Sequence, residues 1–152
     1  MASRRKGRIL AFQALYSWDL VYSQTGKTEI PEGLLDFPWI ENGKKSAEDL
    51  VFPRLLVSGT IENIAAIDDI IKRHLTHWDI VRVKKVDLAI LRMSVYTLMF
   101  RKETAPLIAI NEAIGISREF GTEDSYRFIN GVLDSIKKTL QGDGPDEAQS
   151  EI

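Results

Sequence analysis

The sequence contains no cysteine among its 152 residues, which excludes disulfide bonds and thiolate chemistry. This absence is typical of proteins from a reducing compartment. No run of about 18 apolar residues occurs, so we expect no membrane-spanning helix. The basic start, residues 1–8, is not followed by the simple apolar stretch and small-residue cleavage site of a signal peptide. We therefore expect a soluble protein in the cytoplasm.

Motifs that carry catalysis or hold cofactors are also missing. The sequence has no glycine-rich phosphate loop and no serine in a nucleophile elbow. Its two histidines, His74 and His77, stand three residues apart and could bind a metal with Asp69 or Asp79. No third ligand follows at a recognisable spacing, so we favour the alternative that both histidines end a helix near its C-terminus. The sequence thus predicts no enzyme, no cofactor and no metal site.

Length and composition fit a single globular domain. The chain is 44% hydrophobic and 28% charged, which is ordinary for a packed domain of this length. Apolar residues recur at helical spacing, and no segment shows the sustained alternation of a strand. We predict an all-α protein with about seven helices around one core, forming one compact domain over residues 1–141. The acidic stretch 142–152 is predicted to be a disordered tail.

The N-terminal third predicts one helix followed by a long loop. Ser3 is placed to cap the first helix. The core-facing stripe of that helix is predicted to consist of Ile9, Phe12, Tyr16 and Leu20. Glycine and proline punctuate residues 23–45, which predicts a loop with one short helix near residues 32–36. In that loop Phe37 and Trp39 either cover the edge of the core, which we favour, or stay exposed for a partner.

Two helices are predicted to follow the loop, one of them at the centre of the domain. Ser46 and Asp49 form a capping pair, after which Pro53 forces a kink or a late start. An apolar stripe over residues 57–71 is expected to be continuous, with a break near Gly59 as the alternative. The next helix, over residues 86–100, is apolar on most faces, which predicts a central position in a bundle.

The C-terminal third predicts two helices with clear boundaries. Pro106 begins the first and Gly121 ends it. Thr122 is placed to cap the second helix, with Asp124 in its first turn. The core stripe of this last helix is predicted to be Tyr126, Ile129, Leu133, Ile136 and Leu140.

The net charge of −2 hides a strongly basic start. Four basic residues fall within the first eight positions, namely Arg4, Arg5, Lys6 and Arg8. Cations at a helix N-terminus oppose the helix macrodipole, and an anionic partner would relieve that cost. From composition alone, a nucleic-acid contact and a merely solubilising terminus are equally favoured.

Phe128 is a second candidate for a functional residue. It lies about 100° away from the stripe of the last helix and directly follows Arg127. An aromatic ring beside a cation could stack on an RNA base. From the residues alone, we favour the alternative that Phe128 belongs to a second core face.

Three groups of motifs resemble the NusB transcription antitermination proteins. The first group is RRKGR at residues 4–8 leading into QALYSW at 13–18. The second is VDLAILR at 86–92. The third consists of AINEAI, FGTEDS and FINGVLD, which begin at residues 109, 120 and 128. The resemblance covers about residues 4–140, except for the loop at 23–45.

This resemblance implies a fold and a set of partners. Members of the family are all-helical, with two bundled groups of helices in one compact domain. They bind the boxA element of ribosomal RNA leaders together with NusE, a ribosomal small-subunit protein, and join RNA polymerase to favour continued elongation. The expected partners are therefore single-stranded boxA-like RNA, NusE and the RNA polymerase antitermination complex. A homodimer is a further possibility, because some relatives self-associate.

The resemblance also implies roles for individual residues. The arginine-rich RNA-binding start of the family matches Arg4, Arg5, Lys6 and Arg8. Phe128 matches an aromatic residue at the RNA surface of the family, and this match outweighs the earlier preference for a core position. Arg127 beside it is included among the expected RNA-binding residues. Asp124 falls at a position linked to RNA affinity. Tyr16 and Asp87 match positions on the NusE side, although Tyr16 also lies on the predicted core stripe and Asp87 opens a helix.

Two other functions remain open. NusB-like domains also occur as N-terminal RNA-binding parts of RNA cytosine methyltransferases, which need a methyltransferase domain with a catalytic cysteine. These 152 residues contain neither. The other alternative is a helical protein-interaction module without RNA affinity, in which the basic start serves only solubility.

Overall fold

A computed structural model describes residues 3–40, 46–76 and 79–142 of the chain. Within these ranges the protein is all-helical, which confirms the predicted class. The described residues form six α-helices and two short 3₁₀ helices, whereas about seven helices were expected. The α-helices are α1 (Arg4–Thr25), α2 (Ala47–Glu62), α3 (Ile64–Arg73), α4 (Lys85–Phe100), α5 (Pro106–Phe120) and α6 (Ser125–Leu140). The 3₁₀ helices are Leu34–Asp36 and Ile80–Arg82. Two parts of the sequence predictions, His77 and the tail beyond Gly142, lie outside the described residues.

Helix α4 forms the centre of the fold. It is buried without interruption from Asp87 to Leu98 and packs against all five other α-helices. A helix surrounded on every side must be apolar on most faces, as its sequence is. The predicted central position is therefore confirmed.

Helix α1 buries a face that differs from the predicted stripe. Its start is as predicted, because the Ser3 hydroxyl accepts a hydrogen bond from the Lys6 N–H at 3.1 Å. The buried positions are Gly7, Arg8, Ala11, Phe12, Ala14, Leu15, Trp18 and Asp19. Tyr16 and Leu20 were wrongly assigned to the core, since they are 38% and 54% exposed. Besides Phe12, Leu15 and Trp18, the buried face consists of small residues and two ionised ones, so a stripe continued through Tyr16 and Leu20 departs from it.

Helices α2 and α3 meet at a sharp bend. The predicted capping pair is confirmed: the Asp49 N–H donates to the Ser46 hydroxyl and the Ser46 N–H donates to the Asp49 carboxylate. The helix begins at Ala47 and includes Pro53, which excludes a late start. The helix is interrupted at Asn63 rather than near Gly59, and the two helix axes differ there by 73°. The five residues of the predicted stripe are nevertheless all buried.

The turn between α5 and α6 differs in detail from the prediction. Pro106 begins α5 and Gly121 ends it, as expected. However, α6 begins only at Ser125, so Asp124 precedes the helix instead of lying in its first turn. Thr122 does not cap α6 with its side chain. Instead, the Thr122 N–H donates to the Ser125 hydroxyl at 2.9 Å, and the Ser125 N–H donates to the Thr122 carbonyl at 3.1 Å.

The loop between α1 and α2 closes one edge of the core. Phe37 is fully buried, as favoured from the sequence. Trp39 is 44% exposed and donates a hydrogen bond from Nε1 to Gln13 Oε1 at 3.0 Å, so only Phe37 of the two aromatic residues is fully buried.

No single helix in the described ranges is long and apolar enough to cross a membrane; α2 and α3 meet that test only as a bent pair.

Candidate functional site

The basic turn, defined as Arg4, Arg5, Lys6 and Arg8, opens α1 where that helix contacts α2. A Cβ atom at Gly7 would lie 2.7 Å from Phe52 Cδ2, so glycine is needed for the two helices to approach this closely. The Arg4 guanidinium lies over the Phe52 ring, with Cζ 4.1 Å from the ring centroid. Such a cation–π contact holds the charge in place while leaving Arg4 exposed.

Arg5 points in another direction, towards α5. Its guanidinium forms an ion pair with Glu112, and the side chain stays 41% exposed. The guanidinium rests on Gly115, where a Cβ atom would lie 2.5 Å from Arg5 Nη2. The basic turn therefore spreads its charge over two neighbouring helices.

Arg8 is the one predicted RNA contact that the structure places inside the protein. It is only 7% exposed, and its Nη1 lies 3.8 Å from Glu112 Oε1. Burial lowers the pKa of Arg8; Glu112 acts in the opposite direction, and Arg4 and Arg5 lower the pKa further. A buried guanidinium is not open to a phosphate, so the structure does not place Arg8 for the expected direct RNA contact and pairs it with Glu112 instead.

Phe52 and Glu112 are functional candidates that the sequence predictions missed. Phe52 lies beside a cavity of about 460 Å³ between the starts of α1 and α2, which Arg4 and Arg101 also line. Phe52 is about 140° around α2 from the buried Val57. Phe128 was singled out because it lies away from the predicted apolar stripe of its own helix. Phe52 lies away from the stripe that begins at Val57, so the same criterion would have identified it.

Phe128 lies at a groove between the end of α3 and the side of α6. It is half-buried and packs against the core, while Arg127 beside it is exposed. The groove measures about 350 Å³, and His74 and Ser135 form part of its wall. His74 Nδ1 is 2.7 Å from the Ser135 hydroxyl, and burial, with a smaller effect of neighbouring Arg73, lowers the pKa of His74. Asp124 is exposed just before α6 begins.

Tyr16 and Asp87 line one pocket, on a different part of the surface. This pocket of about 240 Å³ is bounded by α1, the start of α4 and the turn between α5 and α6. Tyr16 is exposed at its rim, whereas Asp87 is 3% exposed. The structure thus brings together the two residues that the resemblance assigned to a protein partner.

The carboxylate of Asp87 is held in an unfavourable environment. Its Oδ1 is buried and has no hydrogen-bond partner within the described residues. Burial raises the pKa of Asp87, and this effect outweighs the lowering by a hydrogen bond from Ser125 and by the charge of Lys84. A buried carboxylate oxygen without a hydrogen-bond partner is unusual in a folded protein, which makes Asp87 a candidate functional residue.

Comparisons with known proteins give a consistent result. The model of the NusB family matches residues 5–138. The "Transcription antitermination protein NusB" of Treponema pallidum (strain Nichols) is 51% identical over 137 residues, which cover 90% of this chain and 93% of that protein. Its name describes a transcription factor, in agreement with the expectation that this chain is not an enzyme.

Solved structures of similar proteins share the fold. T. maritima NusB superimposes with a TM-score of 0.76 at 30% identity, covering 99% of both chains. A structure described as antitermination factors NusB and NusE in complex with dsRNA gives a TM-score of 0.72 at 29% identity, covering 90% of this chain and 96% of that one.

Proposed function

Because this chain belongs to the NusB family, we propose that it is a cytoplasmic transcription antitermination protein that binds boxA-like single-stranded RNA together with NusE. The observation that carries the RNA-binding part is the exposed basic turn, in which Arg4 and Lys6 open α1 with no acidic residue in its first turn. Positive charge at the positive end of a helix dipole favours a bound polyanion.

In this proposal the basic turn binds phosphates and α6 reads bases. Arg4, Arg5 and Lys6 are exposed enough to contact the RNA backbone. Three contacts to single-stranded RNA give a log–log salt slope of about −2, so raising salt from 50 to 200 mM weakens binding about 20-fold. Phe128 stacks on an unpaired base at the α3–α6 groove, and Arg127 and Asp124 contact neighbouring polar groups.

The partner protein binds at the pocket of Tyr16 and Asp87. The exposed Tyr16 ring supplies apolar contact area, and the carboxylate of Asp87, which lines the pocket, accepts a hydrogen bond from NusE. Three RNA contacts give only modest affinity. A partner that also binds RNA strengthens the complex, because each bound protein holds the RNA at a high effective concentration near the other. The pair then joins the RNA polymerase antitermination complex and favours continued elongation.

Fluorescence anisotropy with a labelled boxA strand tests this function. The protein is titrated with and without NusE, alongside a scrambled strand and a boxA duplex at matched salt. We expect boxA to bind more tightly than either competitor and NusE to strengthen that binding. The Arg4→Ala/Lys6→Ala double variant should bind more weakly, whereas the control Lys27→Ala/Lys138→Ala should bind as the wild type does. Equal binding to all RNAs would leave only a generic basic surface, and no binding would favour a protein-interaction module or an occluded homodimer.

A further inference from the structure

A cluster of one aromatic ring and two arginines lies at the surface between α5 and α6. The Arg118 guanidinium of α5 packs over the Tyr126 ring, with Cζ 4.4 Å from the centroid. Arg127 Cζ is 5.5 Å from the same centroid, and Arg127 Nε donates a hydrogen bond to the Tyr126 hydroxyl at 3.0 Å. Tyr126 therefore orients two exposed guanidinium groups at once.

This cluster lies on the way from the basic turn to Phe128. The Arg5 guanidinium rests on Gly115, which is three residues before Arg118 on the same face of α5. Three residues correspond to a helix rise of about 4.5 Å. Arg118 in turn contacts Tyr126 at the start of α6, and Arg127 is adjacent to Phe128. A series of cations thus crosses α5 and continues onto α6.

The arginines of the cluster are available to a partner. In the described part of the chain, neither Arg118 nor Arg127 lies within ion-pair distance of a carboxylate, unlike Arg5. Both are exposed, and a cavity of about 380 Å³ opens beside Arg118 and Tyr126.

Charge alone does not explain the cluster. Glu119 and Glu123 are exposed close to Arg118 in the sequence, which weakens the attraction for a polyanion. A guanidinium that lies over an aromatic ring has its other side open for stacking, and RNA bases stack on arginine planes. A single-stranded RNA exposes its base faces, whereas a duplex hides them.

We propose that Arg118, held by Tyr126, is a stacking site for one RNA base and that it joins the basic turn to Phe128 in a single RNA path. This inference rests on the RNA-binding function proposed above. Base stacking on such a platform contributes about 1–3 kcal/mol, so the site is worth about fivefold or more in RNA affinity. In this proposal the Arg118 guanidinium also contributes one phosphate contact.

The test measures the affinity of cluster variants for boxA RNA by fluorescence anisotropy. Arg118→Ala is expected to weaken binding about fivefold or more and to reduce the salt slope by about 0.7. Arg118→Lys keeps the charge without the plane, so it should restore the salt slope but not the affinity. Tyr126→Leu should weaken binding as well. The Arg118→Ala/Tyr126→Leu double variant should bind no more weakly than the worse single variant, because both act on one platform.

The control is Lys138→Ala, which removes an exposed cation at the far end of α6. Circular dichroism confirms that each variant is folded. If Arg118→Ala binds RNA as tightly as Lys138→Ala while Arg4→Ala/Lys6→Ala binds weakly, the stacking site is overturned and the RNA-binding function stands. Full recovery of affinity by Arg118→Lys would also overturn the stacking role. If the wild-type protein does not bind RNA at all, both proposals fail.

Discussion

The Arg92 guanidinium donates two parallel hydrogen bonds to Asp68, from Nε to Oδ1 and from Nη2 to Oδ2, each 2.9 Å long. Its Nη1 donates a third to Asp19 at 2.7 Å. All three residues are at most 8% exposed, and they join α4 to α3 and α1. Burial alone would lower the pKa of Arg92, but the two carboxylates outweigh it and raise the pKa. Each of the three guanidinium nitrogens of Arg92 thus donates a hydrogen bond to a buried carboxylate.

Removal of the Arg92 side chain should strongly destabilise the protein. Arg92→Ala leaves Asp19 and Asp68 buried without their common partner, which costs about 3–5 kcal/mol in the free energy of unfolding. Urea denaturation measures this loss. The control is Arg73→Ala, which removes an exposed pair with Asp69 and should cost less than about 0.5 kcal/mol. Similar losses in both variants would contradict a structural role for the buried cluster.

Substitution by alanine should destabilise the protein at Gly59 and stabilise it at Gly131. A Cβ at Gly59 would lie 2.2 Å from Tyr96 Cζ, so either the Tyr96 ring or the packing of α2 on α4 would have to shift. We expect Gly59→Ala to lower the free energy of unfolding by about 1–3 kcal/mol. At Gly131, which is exposed in α6, a Cβ meets nothing within 4 Å, and alanine should stabilise by about 0.5–1 kcal/mol. Thermal unfolding distinguishes the two, and stabilisation by both substitutions would show that Tyr96 can move aside.

The sequence predicted best those elements whose pattern is local. The central position of α4 follows from its own residues, because a helix that is apolar on most faces must be surrounded. The start of α2 likewise follows from Ser46 and Asp49, which bond to each other. Neither prediction requires knowledge of a distant part of the chain.

The face of α1 could not be predicted in the same way. Arg8 and Asp19 are buried because their partners, Glu112 and Arg92, are brought to them by α5 and α4. Glu112 and Arg92 stand 104 and 73 positions further along the chain. A prediction that treats every ionised residue as exposed therefore places the buried face of α1 at the wrong angle around the helix and assigns Tyr16 to the core. The resemblance pointed to a partner surface at Tyr16, and the exposure of its ring is compatible with that role.

The contact between Arg5 and Gly115 gives a way to disturb the RNA surface without harming the fold. In Gly115→Ala, the new methyl group displaces the Arg5 guanidinium, which can move because it ends a flexible side chain. Alanine also favours the helix, so we expect stability to be kept. The RNA salt slope should fall by about 0.7, the loss of one phosphate contact. In an Arg5→Ala background, Gly115→Ala should have no further effect on RNA binding, and an additional loss there would show that α5 itself is disturbed.

We expect Asp87 to stabilise the complex with NusE but to lower the stability of the free protein. Its pKa is raised above the ordinary value of 3.8, so the ionised form is less favourable in the folded than in the unfolded state. Asp87→Asn should therefore increase the free energy of unfolding at pH 7. This gain should shrink as pH falls through the raised pKa, and it should vanish below the ordinary value, where both states carry a neutral side chain.

The same Asp87→Asn variant should bind NusE about tenfold or more weakly, because its neutral amide oxygen accepts a weaker hydrogen bond than the carboxylate does. Urea titrations between pH 7 and about pH 3 measure the stability, and calorimetry with NusE measures the affinity. Asp69→Asn is the matched control, since Asp69 is exposed and far from the pocket in sequence. A more stable variant with unchanged NusE affinity would show that the buried oxygen faces no partner. A less stable variant at pH 7 would instead mean that the ionised carboxylate is favourable within the fold itself.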